Sequence, residues 1–260
     1  MKRTLIIVLL LSVLTLTSFS SISDAQRRKG RGRRAAPAAP PATGGKVNIP
    51  CPATLNDITD CPDTGCGLLD PNLNLRKNVR TDNQAAEAMT IQDLKDLPDP
   101  VPDFTIGDAR EKLTALGEGK KITVMAKALV ARKGSQESCN CKLAKVADTD
   151  NHIVLVDPSV RRPTLAANEN DSETAEFTPR VRLDHPNLGR PKLQPLITAA
   201  GGALLVRVTG LLMFDSEHSL GRHLKRHNNW EIHPVMGMEY CPSRKRCTAN
   251  NDANWKSIED

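Results

Sequence analysis

The sequence predicts a mainly β domain, a small Greek-key barrel with one or two short helices and a disulfide-containing N-terminal wrap. Three observations predict it. Several long stretches alternate apolar and polar residues with the period of two that a half-buried strand requires. Clusters of Gly, Pro, Asn and Asp punctuate the intervals between them. Seven cysteines, at 51, 61, 66, 139, 141, 241 and 247, fall largely at the two ends of the domain, where local bridges could staple it.

The chain opens with a secretory signal. Lys2 and Arg3 precede an apolar run from Leu5 to Phe19, and Ser23-Asp24-Ala25 offers small residues for cleavage after Ala25. That run is shorter than the ~20 residues a membrane span needs. A secreted or periplasmic protein is therefore expected, and in an oxidising compartment its cysteines are read as disulfides. Cys51 pairs by proximity with Cys61 or Cys66, and Cys241 with Cys247. The odd count leaves one thiol over. Paired CxxC spacings of structural zinc sites are absent.

Charge is unevenly distributed. The chain carries 36 Lys and Arg against 30 Asp and Glu, and removal of residues 1–25 leaves 34 against 29. Residues 26–34, QRRKGRGRR, hold six cations and no acid, so everything after Arg34 sums to −1. This reads as a basic arm on a Pro/Ala-rich linker, too poor in apolar surface to fold, with an anionic surface or polymer as its natural partner. The near-neutral remainder argues against strong nucleic-acid binding, which grows with the phosphates neutralised. Scarce aromatics, with one Tyr, two Trp and four Phe, remove most base-stacking platforms.

The expected organisation is thus a signal peptide at 1–25, arm and linker at 26–50, an irregular Cys/Pro-rich segment at 51–106 without a regular sheet, the barrel at 107–247 and a polar tail at 248–260. Within the barrel, a helix is expected over Gly107–Leu116, with Asp108 as N-cap and Gly117 as stop. Lys121–Arg132 alternates cleanly, with Ile122, Val124, Ala126, Ala128 and Val130 on one face. Cys139–Val146 and His152–Val156 follow as shorter strands, with an extra one near Glu176–Leu183. Leu193–Ala200 carries a helical stripe that Pro195 confines to a short helix beginning near it. Leu204–Phe214 and Trp230–Tyr240 complete the set; the latter is expected to turn Trp230, Ile232, Met236, Met238 and Tyr240 one way. Five principal strands with a helix between the third and fourth match the order of an OB-like barrel, a fold that binds oligonucleotides or oligosaccharides across one face.

Polar residues that could carry chemistry cluster beside these strands. Asp150 and His152 lie two apart, as do Glu231 and His233 in WEIHP, so each pair shares a sheet face. Between them come Glu176, Arg180 and His185 in EFTPRVRLDHP, then Asp215, Glu217 and His218 in FDSEH. Such His/carboxylate sets bind Zn²⁺ or another divalent ion, or act as general acid and base. Asp150, His152, Glu231 and His233 are therefore the candidate metal ligands, and Arg180, His185, Asp215, His218 and Trp230 the candidate binding residues. No HExxH or GxSxG motif accompanies them. The leading expectation is a secreted, non-catalytic binding domain without cofactor, acting on an extended polymer or protein partner. The alternative is a secreted metal-dependent hydrolase, with phosphodiesters among its candidate substrates, using a divalent metal such as zinc at the His/carboxylate site.

The succession QESCNCKL, DTDNHIVLV, EFTPRVRLDHP, VRVTGLLMFDSEH and WEIHPV, over roughly Lys120–Cys241, resembles a group of uncharacterised secreted bacterial proteins. The resemblance implies export and a shared OB-like fold, and carries over no catalytic residue.

Overall fold

The computed structural model describes residues 45–100, 109–218, 225–243 and 245–260. The expected signal peptide and basic arm lie outside these residues, as does the Gly107–Asp108 start expected for the first helix. In chain order come β1 (Val47–Ile49), β2 (Gly67–Leu69), α1 (Pro71–Lys77), β3 (Glu87–Met89), α2 (Ile91–Lys95), α3 (Glu111–Ala115), β4 (Lys121–Lys133), β5 (Asn151–Val156), α4 (Leu165–Asn168), β6 (Glu173–Phe177), α5 (Pro179–Arg182), α6 (Arg190–Ala199), β7 (Leu204–Phe214), β8 (Trp230–Tyr240) and β9 (Lys256–Ser257).

Five strands close a barrel in the order β4-β5-β6-β8-β7 and back to β4. Neighbours are antiparallel except β6 and β8, which run parallel. With α6 between the third and fourth barrel strands, this is the OB-like Greek key the strand order predicts. Long β4 makes closure feasible: Lys121–Ala128 pairs with β7, and Lys127–Lys133 with β5. The barrel interior is aliphatic, with Ile122, Val124, Ile153, Ala175, Val206 and Ile232 fully buried. Leu193 and Ile197 of α6 pack into the same core. Each such side chain stabilises by roughly 1.5–3 kcal/mol on burial.

Several expected elements shift. Cys139–Val146 is not a strand: it forms two 3-10 turns, Ser138–Asn140 and Val146–Asp148, with Cys141 and Lys142 in left-handed backbone (φ 51° and 56°). The strand expected near Glu176–Leu183 lies instead at β6, and Pro179 ends it by starting the single turn α5. The strand count therefore stays at five through two compensating displacements. On β4 a register shift between Ala128 and Val130 changes the phase, so Ala131 enters the core in place of Val130. On β8 shifts opposite Gly210 do the same, and Val235 is the core residue where Met236 is expected. Gly210 permits this because a Cβ there would lie 2.4 Å from the Pro234 carbonyl. Helix α6 begins at Arg190 rather than near Pro195; its N-terminal Pro191 is well suited to a first turn, and Pro195 removes one rung only.

The segment before the barrel is more regular than expected. β1 and β2 form a two-stranded sheet, and β3 adds parallel to β4 on the side that β5 leaves free. Helix α1 starts at Asp70, whose carboxylate accepts from the Asn72 and Leu73 amides, with Pro71 in the first turn. Disulfides join Cys51 to Cys66, Cys61 to Cys141 and Cys241 to Cys247, leaving Cys139 free and buried. The Cys61–Cys141 bond ties the wrap to the β4–β5 loop. Asn74 and Asn78 reinforce that tie, donating to the Thr64 carbonyl and Ser138 hydroxyl, and to the Asp63 and Cys139 carbonyls. The stretch 248–260, expected as a polar tail, pairs β9 with β8 and buries Ile258 in the barrel core. Among the described residues no helix is long and apolar enough to cross a membrane.

Candidate metal centre

The strands β5, β6 and β8 turn apolar side chains into the barrel, and period-two alternation then sends polar ones outward. That outer face is only partly solvated: Glu176, Glu231 and His233 are buried, while the His152 side chain stays 36% exposed. His152 on β5 pairs across from Glu176 on β6. Parallel β6 and β8 align Thr174 with Glu231, which sets Glu176 beside His233. The result is a row of three: His152 Nε2 lies 3.3 Å from Glu176 Oε1, and His233 Nδ1 lies 3.2 Å from Glu176 Oε2.

The loops complete the cluster. From the β4–β5 loop, Glu137 approaches His152 Nε2 at 3.8 Å and accepts from the Lys77 ammonium of α1 at 2.7 Å. The Cys139 thiol donates to the same carboxylate at 3.5 Å. Asp150, at the end of this loop, is 1% exposed, and both its carboxylate oxygens lack a hydrogen-bond partner. The Nε2 of His233, also 1% exposed, lacks a partner too, while its Nδ1 faces Glu176 Oε2. Asp150, Glu176 and His233 present donor atoms within 4.8 Å of one another, as do Glu137, His152 and Glu176. Buried polar atoms are almost always paired, because an unpaired one costs a few kcal/mol. Their concentration at one point is what a cation-binding site requires.

Electrostatics follows the geometry. Burial pushes Asp150 up to about 6, helped by the neighbouring Glu137 carboxylate. The Glu176 carboxylate raises His152 to about 9 against the effect of burial. Burial works to raise Glu176 itself, but His152 and His233 outweigh it and hold the acid at about 2. For His233 burial opposes charging, and Glu176 turns the shift upward. Without a metal ion, the carboxylates are thus offset by the His152 imidazolium and the Lys77 ammonium.

Beside the triad opens a cleft of about 190 Å³, lined by His152, Glu176, Asp215, His218, Arg226 and Glu231 among others. Glu176 belongs to both. The β7–β8 loop supplies the far wall: His218 bonds through Nδ1 to Asp215, and Arg226 pairs with Glu231 and lies 3.5 Å from Asp215. These walls are the outer β5–β6 face and the fourth-to-fifth strand loop, surfaces on which OB barrels take their ligands, with Glu169 added from the β5–β6 connection.

Of the nine residues expected from sequence, six gather here: Asp150, His152, Glu231, His233, Asp215 and His218. Glu231 stands beside His233 (3.5 Å) yet is held by Arg226. The other three lie elsewhere. Arg180 clamps the wrap through the Cys61 and Pro62 carbonyls and Asp63. His185 sits at the surface with Glu259. Trp230 is a core residue, packed edge-on against Phe214 at 5.3 Å and donating to the Pro98 carbonyl. Glu176, noted in EFTPRVRLDHP, joins the cluster, and Glu137, Cys139 and Lys77 are members that residue spacing does not single out.

No family model matches this chain, and no curated protein matches it. Among solved structures, a Leishmania major Friedlin protein assigned as an aspartyl-tRNA synthetase aligns at 12% identity over 65% of this chain, with a TM-score of 0.32. The chain spans 23% of the length of that protein.

Proposed function

We propose that the protein is a metal-dependent ligand-binding domain of OB type, in which Asp150, Glu176 and His233 hold a divalent cation. The adjacent cleft then takes one polar group of an extended polymer or a protein partner. The observation that carries this reading is the triad: three buried side chains with convergent donor atoms, of which both Asp150 oxygens and His233 Nε2 are unpartnered. One imidazole with two carboxylates suits Zn²⁺ or Mn²⁺. At about 190 Å³ the cleft is smaller than a typical small-molecule pocket of ~300–1,000 Å³, which favours capture of a single group from a larger ligand. Export, and kinship with the secreted bacterial proteins that WEIHPV resembles, belong to the same proposal. The three disulfides support an oxidising compartment.

A second reading, metal-dependent hydrolysis, is favoured by the position of His152. Its side chain is 36% exposed at the cleft and bridges Glu137 and Glu176. A cation held by three protein groups keeps a position for water or a ligand oxygen, and His152 stands where a proton would be held or given.

Metal analysis after dialysis against Zn²⁺ or Mn²⁺ tests the first reading. At least one equivalent is expected in the wild type and a loss of that equivalent in the isosteric Glu176→Gln. A wild type that takes up no metal overturns it. Turnover of a model phosphodiester by the loaded protein, lost in His152→Gln with metal retained, would transfer the assignment to hydrolysis.

A further inference from the structure

We propose that the same cluster holds a second, thiolate-bearing metal position made by Glu137, Cys139 and Asp150, with the Asp150 carboxylate bridging it to the first. This rests on the reading of the cluster as a metal centre and adds a second ion of defined chemistry. The three residues present donor atoms within 4.8 Å of one another. Asp150 belongs to both groups of three, and its two oxygens, both without partners, are free to face one ion each.

Cys139 is the odd cysteine of seven, and the three disulfides account for the rest. It is 1% exposed, so disulfide exchange with another chain is blocked in the folded protein. Its surroundings are wrong for a packing residue. A buried thiol ordinarily behaves as a small hydrophobe, yet here it faces Glu137 and Asp150. The Cys61–Cys141 bond pins the backbone two residues away, and the Asn78 side chain holds the Cys139 carbonyl. The sulfur is therefore positioned by the scaffold on both sides.

Glu137, Asp150, Glu176 and a Cys139 thiolate carry four negative charges against the four positive charges of two divalent ions, and the Lys77 ammonium on Glu137 brings this set to +1. Binding at the second position releases the thiol proton to solvent. Sulfur among oxygens selects a borderline-soft ion, Zn²⁺ over Mg²⁺ or Ca²⁺.

The test uses Co²⁺ as a spectroscopic substitute for Zn²⁺ in the purified protein, kept free of reductant so that the disulfides persist. Two equivalents per chain are expected, with a sulfur-to-cobalt charge-transfer band in the near ultraviolet. Cys139→Ser, nearly isosteric, is expected to lose that band and one equivalent while keeping the other. One equivalent without the band in the wild type, or two equivalents and no band change in Cys139→Ser, overturns the second position and leaves the first standing. No uptake at all overturns the metal centre itself. A circular dichroism spectrum unchanged from wild type shows that Cys139→Ser is folded.

Discussion

Glu176 touches both histidines of the row and shares the metal triad with Asp150, so it is the side chain on which the centre turns. Binding only to the folded state stabilises by mass action, by about 2.7 kcal/mol at a hundredfold excess over Kd. For a domain of this size that corresponds to a rise of about 5–10 °C in Tm. Wild type is expected to show such a rise with Zn²⁺ in a thermal melt, and Glu176→Gln to show a smaller one. Much of this was legible at the level of single residues. Asp150, His152, Glu231 and His233 stand two apart in pairs, and two-residue spacing places them on one face whatever the neighbouring strands do. Glu176, Glu137 and Lys77 reach the site only through strand pairing and the wrap, which local spacing does not encode. Trp230 misled because an aromatic beside polar residues looks like a rim, whereas alternation on β8 turns it inward against Phe214.

Among the elements, the long strands β4, β7 and β8 read clearly because each keeps one face in the barrel over many residues. The β4–β5 loop did not. Its shape comes from a bond to Cys61, which lies 80 residues before its partner, and from left-handed backbone at Cys141 and Lys142. Its attachment to the wrap gives two expectations. Replacing Cys61 and Cys141 together by Ser should cost about 2–5 kcal/mol in denaturant unfolding, since the bond closes a long loop. Gly65 packs under this loop with φ 71°, and a Cβ there would stand 2.1 Å from the Ser138 carbonyl. Gly65→Ala should therefore destabilise by at least ~1–3 kcal/mol, the usual cost of such strain, and weaken Zn²⁺ uptake by displacing Glu137 and Cys139. An unchanged denaturation midpoint would show that the wrap does not hold the loop.

For the molecule as a whole, the pH dependence of stability has a source apart from the metal ligands. Glu173 on β6 is fully buried, its carboxylate has no hydrogen-bond partner, and burial pushes it up to about 8. The folded state therefore prefers the protonated acid. An acid whose folded pKa is raised lends stability below its unfolded value, near 4.5, and loses it as pH climbs through about 8. The loss is on the order of 5 kcal/mol. Glu173→Gln should remove that slope: measured by urea unfolding, the variant gains on wild type steadily between those limits. Equal slopes in the two proteins would mean that the Glu173 carboxylate is hydrated in solution.

The parallel pairing of β6 with β8 has a meaning beyond topology. It is the seam at which the chain's last barrel strand meets its third, aligned through Thr174 with Glu231 and Ala175 with Ile232. Glu176 and His233 stand on opposite sides of that seam. The proposed position between Asp150, Glu176 and His233 consequently cannot form in a half-built barrel, because Glu176 and His233 belong to strands that become neighbours only on closure. An ion bound there would act as a clasp: captured only by the finished cylinder, it would resist the parting of the two strands.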